Sequence, residues 1–163
     1  MDRELTVVEI IGLGIRSEED ASKFYGSLSK KIQNELVRAK YEGLAREEEQ
    51  HRRMLVGLYQ KMTGEKNPPV IPGNPATAEG GGAPLISESI EELLQYAIER
   101  EREACEFYRR LAPKMSEPTS RRTIEYLADI ERGHEGLIRS ELEAYQRDKN
   151  WYADKPDIQL VGP

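Results

Sequence analysis

Apolar residues recur along the chain at alternating three- and four-residue spacing, in four long stretches. The first two stripes run Ile11, Ile15, Glu18, Ser22, Tyr25, Leu28 and Tyr41, Leu44, Glu48, His51, Leu55, Leu58. The other two run Leu94, Ile98, Glu101, Cys105, Tyr108, Leu111 and Ile124, Leu127, Glu131, His134, Ile138, Leu142. That period predicts four amphipathic helices, each with one face turned to a common core. The pattern is also duplicated. Shifted by 83 residues, positions 7–55 align with 90–138 without a gap, and 14 of the 49 pairs are identical, among them Glu18/Glu101, Glu48/Glu131 and His51/His134. Each copy opens with a capping box, Thr6-x-x-Glu9 and Ser89-x-x-Glu92, so a helix starts at the same place in both.

The breaks between stripes set the architecture. In the second copy Ser116-Glu117-Pro118-Thr119-Ser120 is a stop followed by a helix start with proline just inside it. The first copy is expected to turn at the aligned residues 33–37, where the signal is weaker. Residues 63–88 carry ten glycines and prolines and read as a linker. Its length lets it run back along a helix of about 45 Å, as in bundles with a long crossover. The expected fold is all-α, a four-helix bundle built from two duplicated helix hairpins. The bundle occupies residues 1–148, and a tail, 149–163, is expected to be extended or packed on a neighbour, with Trp151 and Tyr152 as its anchors. The linker's reach also allows a homodimer in which helix pairs are exchanged.

Four glutamates and two histidines on otherwise apolar faces require an explanation, because charge on a core face is costly unless paired or bound to metal. Glu48/His51 and Glu131/His134 are both Glu-x-x-His, a spacing that places the two side chains on one helix face. Glu18 and Glu48 lie about 15 residues either side of one turn, and Glu101 and Glu131 about 15 either side of the other. Each antiparallel pair therefore meets at one level, about 22 Å from the hairpin end. One Glu from each of two helices, plus Glu-x-x-His from each of the other two, is the ligand set of dinuclear carboxylate sites in four-helix bundles. Left without metal, four such glutamates are expected to repel one another and to weaken the fold.

Composition narrows the function classes. A net charge of −6 and a pI near 5.2 disfavour a nucleic-acid or anionic-membrane surface as the main partner. Cys105 is the only cysteine, which excludes an intrachain disulfide, a CxxC pair and a cysteine-rich zinc site, and fits a reducing compartment. With no apolar run long enough for a membrane span and a charged start, the expected location is the cytoplasm. The runs 46–50 and 99–103, ligands apart, read as solvated helix faces. Cys105, aligned with Ser22, reads as a small packed residue, and Phe24 and Phe107 as interhelix packing or a dimer contact.

Glu18-x-x-Ala21-x-x-x-Tyr25 and Glu101-x-x-Ala104-x-x-x-Tyr108, each followed by Glu-x-x-His, resemble the ferritin-like superfamily and within it the rubrerythrin group, over residues 6–145. The resemblance implies two iron ions, with manganese or zinc as substitutes. Glu18 and His51 would be terminal ligands of one, Glu101 and His134 of the other, and Glu48 and Glu131 would bridge. It further implies that Tyr25 and Tyr108 hydrogen-bond carboxylates of the opposite half. The implied activity is a diiron oxidoreductase that reduces hydrogen peroxide or dioxygen. Two departures bear on it. Without CxxC there is no rubredoxin-like domain, so an external electron-donor protein is expected. Ala104 stands where rubrerythrins carry a further carboxylate, and the six-ligand set is then similar to that of bacterioferritin, whose implied role is ferroxidase chemistry and iron storage or handling.

Overall fold

A computed structural model of the protein describes residues 4–68 and 89–153. Four helices account for most of them: α1 (Val7–Lys30), α2 (Glu35–Thr63), α3 (Ile90–Leu111) and α4 (Pro118–Arg147). No strand occurs among the described residues. Most of the expected linker, residues 69–88, and the end of the tail, 154–163, lie outside them.

Local chemistry sets the helix ends. Both capping boxes form: the Glu9 amide donates to Thr6 Oγ1 at 3.2 Å while Thr6 N donates to Glu9 Oε2 at 2.8 Å, and Ser89 and Glu92 repeat the exchange at 3.2 and 3.0 Å. α2 stops at Gly64, whose φ of 72° is the left-handed conformation that glycine adopts without steric cost. α4 starts at Pro118, capped by the Glu117 carboxylate, which accepts from the amides of Thr119 and Ser120.

The first hairpin turns slightly earlier than expected. Its connection is residues 31–34, and α2 begins at Glu35 because the Asn34 side chain accepts from the amides of Leu36 and Val37 at 3.0 and 3.3 Å. The tail explains why so weak a turn signal suffices. The peptide N–H groups of Gln33 and Asn34 both donate to the Tyr152 carbonyl, at 3.1 and 3.0 Å, and Asn34 Nδ2 donates to the carbonyl of Trp151 at 2.8 Å. Lys149–Tyr152 forms a single 3₁₀ turn against its own bundle, where an extended segment or a neighbouring chain was expected. Tyr152 is its buried anchor, whereas Trp151 stays 38% exposed.

The two hairpins pack head to tail. One apolar layer joins the start of α1 and the end of α2 (Ile11, Leu55) to the hairpin end of the second copy (Leu111, Ile124). The other joins the hairpin end of the first copy (Leu28, Val37) to the start of α3 and the far part of α4 (Leu94, Ile138). The glutamates and histidines of the four stripes lie between these layers. Phe107 packs across Gly14, where an added Cβ would come within 3.2 Å of its ring and 3.1 Å of Leu55. Phe24 packs against Tyr96, with ring centroids 5.1 Å apart.

Candidate metal centre

Each helix contributes from its inner face: Glu18 from α1, Glu48 and His51 from α2, Glu101 from α3, Glu131 and His134 from α4. None of the six is more than 5% exposed. Their donor atoms form two overlapping sets, each within 4.8 Å: Glu18, Glu48, His51 and Glu131 in one, and Glu48, Glu101, Glu131 and His134 in the other. Glu48 and Glu131 belong to both. His51 Nδ1 lies 3.0 Å from Glu131, 3.2 Å from Glu48 and 3.8 Å from Glu18. His134 Nδ1 mirrors this at 2.9 Å from Glu48, 3.3 Å from Glu131 and 3.7 Å from Glu101. The two rings face each other, 5.7 Å apart and 18° from parallel.

Little of this proximity is hydrogen bonding: His51 Nδ1 and Glu48 Oε2 pair at 3.2 Å. Glu48 Oε1, Glu131 Oε1 and His134 Nδ1 are buried and lack a hydrogen-bond partner, although His134 Nδ1 and Glu48 Oε1 are only 2.9 Å apart. Donor atoms that are close but not aimed at one another are grouped as ligands around a shared point. Buried polar atoms left in this way mark a place for something not made of protein. The donor set of four carboxylates and two imidazoles, with no thiolate, suits iron, manganese or zinc better than magnesium or calcium.

The four glutamates are electrostatically distinct. Burial raises the Glu18 and Glu101 carboxyls well above the ordinary range, and one imidazole each does not offset it. Glu48 and Glu131 are equally buried but are held below that range, because both imidazoles lie beside each of them. The same contacts outweigh burial at the imidazoles, so His51 is pushed up to about 12, chiefly by Glu131, Glu18 and Glu48, and His134 is raised as well. The expected mutual repulsion is present, and on top of it the four carboxyls split into a pair raised by burial and a pair lowered by the imidazoles.

Tyr25 donates its phenol to Glu101 and Tyr108 donates to Glu18, each crossing from one half to the other. Burial, then the adjacent carboxylate charge, raises both phenols, so they remain proton donors. A further residue joins the site from the run 46–50, whose expected place is a solvated helix face: Glu47 Oε2 lies 2.8 Å from the outer nitrogen of His134, Nε2. Nothing local marks it, since the partners are 87 residues apart. Cys105 is buried and its thiol is pushed up by burial.

The rubrerythrin family model matches residues 9–142 and, in a second match, 92–159. This chain belongs to the rubrerythrin family. The two matches of the rubrerythrin pattern start 92 − 9 = 83 residues apart, the offset of the internal repeat. A solved structure of a hypothetical protein from Pyrococcus furiosus is similar to this rubrerythrin-family chain at 30% identity and a TM-score of 0.72, covering 88% of this chain and 92% of the other. Among curated proteins nothing matches. No helix among the described residues is long and apolar enough to cross a membrane. Around the site, Ala104 offers no carboxylate, and Glu99 and Glu103 are exposed.

Proposed function

We propose that this chain is a non-haem diiron oxidoreductase that reduces hydrogen peroxide or dioxygen with electrons from a separate donor protein. The observation that carries the reading is the pair of overlapping four-residue sets sharing Glu48 and Glu131. In it, Glu18 and His51 hold one ion, Glu101 and His134 the other, and Glu48 and Glu131 serve both. Two iron ions, each changing by one electron, supply the electron pair that O–O cleavage consumes, and the four carboxylate charges balance two divalent ions.

The chain's own residues do the rest. The apolar layers on either side exclude bulk water, which strengthens each charge interaction inside. Tyr25 and Tyr108 fix the terminal carboxylates of the opposite hairpin and hold a proton at each. Reduction of peroxide to two waters takes up two protons with the two electrons, and the phenols paired with Glu101 and Glu18 are proton donors beside the site. A second copy of the chain completes the proposed assembly, in the cytoplasm.

The absence of a carboxylate at Ala104 favours one further reading: oxidation of iron as cargo, for storage or delivery. Anaerobic ferrous loading followed by separate mixing with peroxide and with oxygen tests both. Faster oxidation by peroxide, with turnover sustained by a reducing protein, supports the oxidoreductase. Faster oxidation by oxygen, with iron accumulating beyond two per chain, supports the iron-handling reading. Protein that takes up no iron would refute both.

A further inference from the structure

The internal repeat implies two equivalent half-sites, yet their surroundings differ. At one, Nε2 of His134 meets the Glu47 carboxylate at 2.8 Å. At the other, Nε2 of His51 makes no hydrogen bond among the described residues, and the position matching Glu47 is Ile130, which has no acceptor to offer. A second asymmetry falls on the same side. The Tyr25 ring that holds Glu101 stacks on Tyr41 at 6.4 Å, the Tyr41 hydroxyl pairs with that of Tyr152 at 2.6 Å, and Tyr152 donates to buried Glu141 at 3.1 Å. Tyr108, which holds Glu18, lacks this support, because the repeat position of Tyr41 is Ile124.

We infer that the two half-sites are unequal: the Glu101/His134 half-site binds its metal first and retains it, with Glu47 as the positioning residue, and the Glu18/His51 half-site exchanges. This rests on the metal-pair reading above. A carboxylate on the outer nitrogen of a ligating histidine fixes the ring's orientation, keeps Nδ1 directed at the site and raises its donor strength. Such partners change metal affinity by about 10- to 100-fold. Glu47 is 53% exposed, so water competes for it and the lower end of that range applies. The consequence is a resident ion beside a transit ion, with exchange of iron confined to one half of the site.

Stepwise anaerobic titration of the metal-free protein with cobalt(II), followed by visible absorption and calorimetry, tests this. Two steps are expected, separated by about tenfold or more. Glu47→Ala should weaken the first step by about tenfold and leave the second in place, and Glu47→Gln should fall between, since the amide oxygen still accepts but carries no charge. Ile130→Glu, which introduces the missing carboxylate, should tighten the second step. His51→Ala should keep the tighter single site and His134→Ala only the weaker one. Two equal steps in the wild type, or a Glu47→Ala variant that leaves both unchanged or lowers both alike, would overturn the inference while leaving the metal-pair reading intact. Protein that binds no cobalt or iron at all would overturn both.

Discussion

Loading the site with metal should expel protons, and their number follows from the arrangement. Without metal, His51 and His134 carry protons held by the surrounding carboxylates, and burial favours protonated Glu18 and Glu101. The imidazoles beside Glu48 and Glu131 hold those two carboxyls below the ordinary range, so the protons of the cluster lie on the imidazoles and towards Glu18 and Glu101. Ligation requires neutral imidazoles and ionised carboxylates, so two divalent ions replace up to four protons, and never fewer than the two on the imidazoles. Pairwise affinity should then change by about 100-fold to 10,000-fold per pH unit near neutrality, about 2.7 to 5.4 kcal/mol at about 1.36 kcal/mol for each proton. Affinity rises with pH throughout, because the imidazole values lie above the working range. Calorimetric titration at pH 7 in two buffers of different ionisation enthalpy gives the proton count directly. Glu18→Gln and Glu101→Gln should each lower it by as much as one. Release of fewer than two protons per metal pair would mean that the cluster is not assembled as described.

Apo stability should respond in a matching way. His51, His134, Glu18 and Glu101 are all raised on folding, so the stabilisation they contribute is complete below their unfolded values and declines as pH rises towards the folded ones. The thermal midpoint of metal-free protein should accordingly fall between pH 6 and 9 while the loaded form changes less, and a constant gap in paired melts would contradict this. Glu18→Gln or Glu101→Gln should raise the apo midpoint by a few degrees, whereas Glu48→Gln or Glu131→Gln should lower it by several, since the latter leave protonated imidazoles without their partners and cost about 3 kcal/mol. Tyr25→Phe should weaken metal binding through loss of its bond to Glu101 and cost about 1–3 kcal/mol of stability, measured by denaturant titration. Tyr152→Ala, which opens a cavity and breaks the bond to Tyr41, should cost about 3–5 kcal/mol in the same assay.

The sequence made the helices and the six converging residues legible because both are written at short range and then written twice. A capping box spans four residues, Glu-x-x-His spans four, and the offset of 83 applies the same register to both halves. What it did not disclose is long-range. Whether Glu47 faces water or His134 depends on how α2 lies beside α4. The early corner at Asn34 depends on Trp151 and Tyr152, more than 110 residues away. The split among the glutamates was hidden for a related reason: Glu48 shares a Glu-x-x-His with His51, but that it also meets His134 is set only in the assembled bundle.

The hold that the 3₁₀ turn at Lys149–Tyr152 has on the first corner bears on the order in which the chain matures. The amides of Gln33 and Asn34 find their acceptor in a carbonyl made about 120 peptide bonds later, and Tyr41 finds its hydroxyl partner in the same residue. At a synthesis rate of about 5–20 residues per second, the N-terminal hairpin waits several seconds with its corner unclosed. During that interval α1 and α2 also lack the apolar layers that α3 and α4 provide, so the inner face of the first hairpin, with Glu18, Glu48 and His51, is open to solvent. Closure of the first corner is thus among the last steps of folding, set by the docking of the turn at Lys149–Tyr152.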